Sequence, residues 1–212
     1  MYFSKTPEWI IKVFPGITWR IPEEKPTIYL TFDDGPHPKA TDFVLNQLNK
    51  YGANASFFLI GKNVEKYPET ARLILEENHC IGNHTYNHVN GWNTPLDVYM
   101  NEVGKGKEVI ENHLGISPLW FRPPYGKLTF GQMKAVKEKH TIAMMDILCG
   151  DFDVTKTGEF CSKNILKNYR NGSIIVYHDS EKAFARMTES LPDILRFCQE
   201  KGIECKALPT IL

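Results

Sequence analysis

Seven short runs rich in β-branched and aromatic residues recur along the chain, and six of them lead into a stretch with helical apolar spacing. A strand that hands over to a helix returns to the sheet in the same direction, so the alternation specifies parallel βαβ units. The runs are Thr27–Phe32, Ala55–Ile60, Cys80–Gly82, Leu119–Phe121, Thr141–Ile147, Ser173–Tyr177 and Ile203–Leu208. Helices are expected from about Pro38 to Gly52, Pro68 to Asn78, Thr94 to Leu114, Thr129 to Lys139, Glu159 to Tyr169 and Thr188 to Gly202. Thr94 and Thr188 read as caps, and Gly104 and Gly106 weaken the third helix's seam. About seven parallel strands fit an α/β fold, a distorted (β/α) barrel forming a single domain. An open doubly wound sheet is the rival that spacing leaves standing. Residues 1–26 are expected to be an N-terminal extension packing on the barrel, with 27–212 as the domain itself.

One positional fact directs attention to a single end of that barrel. Asp33 and Asp34, His84 and His88, Arg122, Asp151 and His178 each fall just after a strand and before a helix. In a parallel barrel all such points lie on the carboxyl-terminal rim, where these folds keep their chemistry. The chain has equal numbers of acids and bases, 25 Asp+Glu against 25 Lys+Arg, so a bulk charge does not explain the clustering. That balance also argues against a nucleic acid or an anionic membrane as the main partner.

His84 and His88 are four residues apart, which on a helical turn puts both imidazoles on one face, as a two-histidine metal site requires. An acidic oxygen is the usual third ligand, and Asp33 or Asp34 can supply it. Neighbouring residues of an extended segment point opposite ways, so one carboxylate is expected to hold the metal and the other to face the substrate. A two-His, one-carboxylate set leaves coordination positions open, the catalytic rather than the structural pattern. The other groups complete a hydrolase: a free carboxylate as general base, a histidine as general acid for a leaving amine, Arg122 to hold the base, and Asp151 to orient the acid. Asp146 is the alternative acid.

The motifs Thr31-Phe32-Asp33-Asp34-Gly35-Pro36, His84-Thr85-Tyr86-Asn87-His88, Arg122-Pro123-Pro124-Tyr125-Gly126 and the strand-end His178 resemble the polysaccharide deacetylase family, the NodB-homology domain of carbohydrate esterase family four. They occur in that family's order and make 27–212 the catalytic domain. The resemblance implies hydrolysis of the N-acetyl group of N-acetylglucosamine-type glycans. It implies Asp33 as base, with Asp34, His84 and His88 as ligands of a divalent metal, zinc first and cobalt, nickel or manganese as alternatives. It further implies Arg122 as the arginine that positions the base, the Tyr125 N–H as oxyanion donor, His178 as general acid and Asp151 as its support. Pro123, Tyr125, Phe152, Val176 and Trp92 are expected to contact the substrate, Trp92 by stacking on a sugar ring. The family's fourth motif usually reads D-x-x-D-W, whereas here Leu148 replaces the first acid and Phe152 the tryptophan.

Five cysteines, an odd number without a C-x-x-C pair, suit buried thiols better than a disulfide scaffold. No run approaches the length of a membrane helix, and the first twenty residues lack a signal peptide's form. The expectation is therefore a cytoplasmic protein. Two other functions use the same residues: a glycan-binding descendant without turnover, and a hydrolase of small cyclic amides.

Overall fold

The central strand β1 (Thr27–Asp33) is buried at every position. Side chains alternate along a strand, so Ile28, Leu30 and Phe32 share one face while Tyr29, Thr31 and Asp33 share the other. The first set joins the core under helices α2 (Pro38–Lys50) and α8 (Phe184–Lys201), with Val44, Leu48, Leu191 and Ile194. Tyr29 instead packs with Phe58, Trp120 and Ile174 inside the barrel. The same alternation makes Asp33 the top rung of the barrel interior. Phe32 stacks between Phe57 and Tyr177, with centroids 5.1 and 5.8 Å away. Such pairs add about 0.5–1.5 kcal/mol each beyond area burial.

The structure is a computed structural model and describes residues 3–210. β2 (Ser56–Leu59), β3 (Cys80–Asn83), β4 (Trp120–Phe121) and β5 (Thr141–Ile142) extend the sheet from one side of β1. β7 (Ser173–His178) and β6 (Ile147–Leu148) extend it from the other, giving the order β5-β4-β3-β2-β1-β7-β6 with every pairing parallel. A short β8 (Glu204–Lys206) pairs with Thr27–Tyr29, below the point where β2 takes over the same edge. The seven-strand path curls into the expected distorted single-domain barrel.

Three sequence expectations change. Thr141–Ile147 is two strands on opposite edges of the sheet, because Ala143 N–H bonds to Phe121 O while Asp146 N–H bonds to Ile174 O. The chain between them changes partners. Residues near the N-terminus lie along this seam: Thr18 exchanges bonds with Ile142 and Met144, and Thr6 N–H reaches Asp146 O. α8 begins at Phe184, a turn before Thr188, because Met187 continues the buried face of Leu191, Ile194, Leu195 and Cys198. Thr94 does not cap α5 (Leu96–Leu114); its hydroxyl donates to Asn90 O. α4 (Pro68–Glu76) and α6 (Phe130–Lys137) follow expectation, the latter with a Thr129–Gln132 capping box, and α1 (Glu8–Val13), α3 (Gly61–Lys66) and α7 (Gly158–Asn168) are the other α-helices among the described residues. All five cysteines are free thiols. Among the described residues, no helix is long and apolar enough to cross a membrane.

Candidate active site

Asp33 ends β1 with its side chain directed inward, and the chain then turns out of the strand at Asp34, whose φ is +78°. The turn separates the two carboxylates. Asp33 Oδ1 accepts a 2.7 Å hydrogen bond from Arg122 Nη1. Asp34 Oδ1 lies 3.1 Å from His88 Nε2 and 3.7 Å from His84 Nε2. The two roles expected of an adjacent acid pair are thus divided between two groups of neighbours.

The histidines meet by a different route from the one expected. Residues 84–88 are not helical. Thr85 and His88 have φ of +65° and +59°, and these left-handed residues fold the segment into a bend. The bend is pinned from below. Thr85 N–H donates to Asn83 Oδ1, His88 N–H to Thr85 Oγ1, and Asn83 Nδ2 to Val103 O in α5. Gly106 lets that helix approach: a Cβ there would lie 2.5 Å from Asn83 Oδ1. The helix weakness read in the sequence is therefore a close-packing requirement. Asp34, Thr85, His88 and Tyr125 are four of the five described non-glycine residues at positive φ. Left-handed backbone is unfavourable for such residues and concentrates at functional sites.

His84 is buried and donates Nδ1–H to Arg122 O at 2.7 Å, which leaves the Nε2 lone pair toward Asp34 and His88. Burial pushes its pKa down to about 4, so the ring is neutral, as a ligand must be. Burial raises the Asp34 carboxyl, but the imidazole of His88, 3.1 Å away, and those of His178 and His84 hold it well below the usual carboxylate range. Asp34 Oδ1 has no hydrogen-bond partner although buried. Ligand atoms of Asp34, His84 and His88 lie within 4.8 Å of one another. An orphaned anionic oxygen facing two imidazole nitrogens fits a divalent cation.

Arg122 is 0% exposed. Burial pulls its pKa down against the attraction of Asp33, but a guanidinium stays charged. Its Nη1 also donates to Thr31 Oγ1, Nε to Ala143 O and Nη2 to Met144 O, and its plane lies 4.0 Å from the Phe58 ring. Four of its five N–H groups have acceptors, so with Leu148 in place of the fourth-motif acid one Nη2 N–H has no acceptor among the described residues.

Opposite this pair stands His178, at the end of β7. Its Nδ1–H donates to Asp151 Oδ1 at 2.8 Å, and its backbone N–H to Asp151 Oδ2 at 2.7 Å. Burial lowers the imidazole, but the Asp151 charge and hydrogen bond more than reverse this and push it up to about 9. Phe152 packs edge-on against the ring at 5.2 Å. Asp146, the alternative acid, lies elsewhere. It accepts two bonds from Arg170 and one from Ser173, at the amino-terminal end of β7.

Asp33, Asp34, His84, His88 and His178 line a cavity of about 410 Å³, together with Pro123, Tyr125, Phe152 and Val176. Tyr125 (φ +61°) lays its ring edge against His88 at 4.6 Å. The turn's bonds run from Gly126 N–H to Pro123 O and from Lys127 N–H to Pro124 O, which leaves the Tyr125 N–H out of the ladder. Trp92 does not line the cavity; it is 63% exposed, donates to Leu128 O and lies under Lys127. Met145, Leu148, Ser180 and Lys182 line the cavity without having been expected. For Ser180 and Lys182 the available signal was their place in the loop after the strand-end His178. A cavity of about 430 Å³ near Ala53 and Cys205 lies at the opposite, amino-terminal end of the strands and lacks such a cluster.

One carboxylate held by a guanidinium, a second facing two imidazole nitrogens, and a supported imidazole across from both at the rim of a β/α barrel form an arrangement that metal-assisted hydrolysis can use. Residues 20–144 match the model of the family described as polysaccharide deacetylase, and the chain belongs to that family. It is 32% identical over 192 residues to a peptidoglycan-N-acetylglucosamine deacetylase of Bacillus cereus, covering 90% of this chain and 70% of the relative. It is also 32% identical over 169 residues to a chitooligosaccharide deacetylase of Azorhizobium caulinodans, covering 77% of this chain and 79% of the relative. Among solved structures, that of the Bc1960 peptidoglycan N-acetylglucosamine deacetylase, bound to a naphthyl N-hydroxybenzamide, superimposes with a TM-score of 0.88. The identity is 30%, over 98% of this chain and 97% of the other.

Proposed function

We propose that this protein hydrolyses the N-acetyl group of N-acetylglucosamine-type glycans, releasing acetate and a free amine. The observation that carries the reading is the meeting of Asp34, His84 and His88 beside two hydrogen-bonded ion pairs, Asp33–Arg122 and His178–Asp151, at one cavity. The names of the relatives supply the substrate class.

Asp34, His84 and His88 would hold a divalent ion, zinc by the donor set, which when bound polarises a carbonyl oxygen and lowers the pKa of water. Asp33 is the general base. Arg122 occupies Oδ1 and fixes the carboxylate's plane, and Oδ2, which accepts no hydrogen bond from the described residues, takes the proton of the attacking water. The Tyr125 N–H donates to the former acetyl oxygen as it gains charge; losing one such donor costs about 2.7–4 kcal/mol in comparable hydrolases. Departure of the amine needs a proton. His178 gives it from Nε2 while Nδ1–H stays on Asp151, which offsets the charge on the ring. Phe152, Val176 and Leu148 line the cavity with apolar surface suited to the acetyl methyl. Arg122 keeps four acceptors without the fourth-motif acid, so its hold on Asp33 does not depend on that acid.

The test is acetate release from chito-oligosaccharides and from peptidoglycan-derived glycans, with added zinc or cobalt, beside a panel of small cyclic amides. Chelation should abolish turnover and added metal restore it. Asp33→Asn should keep the metal and lose acetate release; His84→Ala should lose the metal. Turnover confined to the cyclic amides would overturn the glycan reading.

A further inference from the structure

Asp179 follows the proposed acid, yet its side chain points away from it. It is fully buried, and the mechanism above gives it no part. Its Oδ2 accepts from Thr41 Oγ1 in the first turn of α2, and Oδ1 has no partner. Thr41 Oγ1 in turn accepts from the His37 N–H at 2.9 Å, at the far end of the turn that starts with Asp34. The Asp179 N–H donates to Asp33 O at 3.0 Å. Gly35 sits directly on the carboxyl: a Cβ there would lie 2.2 Å from Oδ2 and 2.6 Å from Oδ1. Asp179 therefore holds the turn carrying the base and the carboxylate ligand at its start through the backbone N–H, at Gly35 through the carboxyl and at its far end through Thr41, and it belongs to the strand end carrying the acid.

We propose that Asp179 is a positioning residue that clamps the Asp33-Asp34-Gly35 turn to the end of β7, so that base, metal-holding carboxylate and acid keep one mutual geometry. The clamp acts by shape and by its bond to Thr41. Among the described residues no cation pairs with this buried carboxyl, and its side-chain partner is the Thr41 hydroxyl. Asn, which keeps the shape and an acceptor for Thr41, should then replace it. Gly35 is glycine because the clamp leaves no room for a side chain.

The proposal rests on the deacetylase reading for its kinetic arm alone. Asp179→Asn, Asp179→Ala, Thr41→Val and Thr41→Ser are compared in the full chain for kcat and KM on chito-oligosaccharides, and for cobalt affinity by equilibrium dialysis. Supports behind metal ligands are worth about 10–100-fold in affinity or activity. Asp179→Ala should lower kcat and cobalt affinity by at least about tenfold with KM within about threefold, and Thr41→Val should lie between it and the parent. Asp179→Asn and Thr41→Ser should stay near the parent in both. Parental kcat and cobalt affinity in Asp179→Ala or Thr41→Val would overturn the clamp, as would an Asp179→Asn variant as impaired as the alanine. If Asp179→Ala does not fold, Thr41→Val and Asp179→Asn decide. A parent that releases no acetate removes the deacetylase reading, and the cobalt affinities still test the clamp.

Discussion

Replacing Asp151 with Asn removes the charge that keeps His178 protonated while preserving the side chain's shape. His178 stands at about 9 against an ordinary 6.5, although its burial acts in the other direction. Without the Asp151 charge burial is opposed only by the weaker attractions of Asp34 and Asp33, so the ring's pKa falls. At about pH 8 the parent's imidazolium fraction is about nine-tenths, and a fall of about 2 in the ring's pKa cuts it to about one-tenth, slowing a step that needs that proton about tenfold. The hydrogen bonds point the same way. The His178 N–H needs an acceptor, so the Asn oxygen takes that place and its NH2 faces Nδ1, which favours the neutral ring. The assay is acetate release from N-acetylglucosamine oligomers across the pH range. The alkaline limb of the Asp151→Asn profile should lie at least about 2 pH units below the parent's, with the gap narrowing in acid. A cation beside Asp34 lowers both limbs together, so the difference between the proteins is what counts. Coincident alkaline limbs, or an equal loss at every pH, would refute the assignment of His178 as acid and Asp151 as its support.

Gly106→Ala sets helix propensity against packing. Alanine is favoured within a helix by about 1 kcal/mol, but its Cβ would lie 2.5 Å from Asn83 Oδ1 and 2.9 Å from the Thr85 carbonyl carbon. Packing should win, lowering both Tm and metal affinity; a raised Tm with parental metal affinity contradicts this. Arg122→Met leaves Asp33 buried and unpaired and should cost about 3–5 kcal/mol in urea unfolding. A cost below about 1 kcal/mol would mean that the pair is not a structural element. Asp179 is raised from 3.8 to about 8 and His178 from 6.5 to about 9, so both bind protons more tightly folded than unfolded. The stability they contribute is complete below their unfolded values and is lost as pH rises, through about 8 for Asp179 and about 9 for His178. Urea midpoints should fall across that span, less steeply in Asp179→Asn. A flat parental profile would contradict both shifts.

Strand and helix were legible wherever local spacing decides them. The alternation in Thr27–Asp33 already separates the helix-facing Ile28, Leu30 and Phe32 from Tyr29, Thr31 and Asp33. Repetition of strand-then-helix puts every strand-end residue on one rim, so Asp33, Asp34, His84, His88, Arg122 and His178 could be picked out together. Pairing partners could not be read this way. Asp146 and Asp151 are both acids near one strand end, and only the partners of β6 assign one to Arg170 and the other to His178. Gly106 looked like a flaw because the atoms that require it lie more than twenty residues back along the chain.

The periodicity of the chain alone thus determined the class of fold, the rim that holds the chemistry and most of the residues on it, because periodicity and strand ends are set by neighbours within a few positions. Tertiary structure decided the rest. It split 141–147 between two edges, bent 84–88 through left-handed residues rather than a helical turn, directed Trp92 away from the cavity and packed Asp179 beneath Gly35. Each of these follows from hydrogen bonds and close contacts between residues far apart in sequence, where no local pattern records which partner lies across the gap.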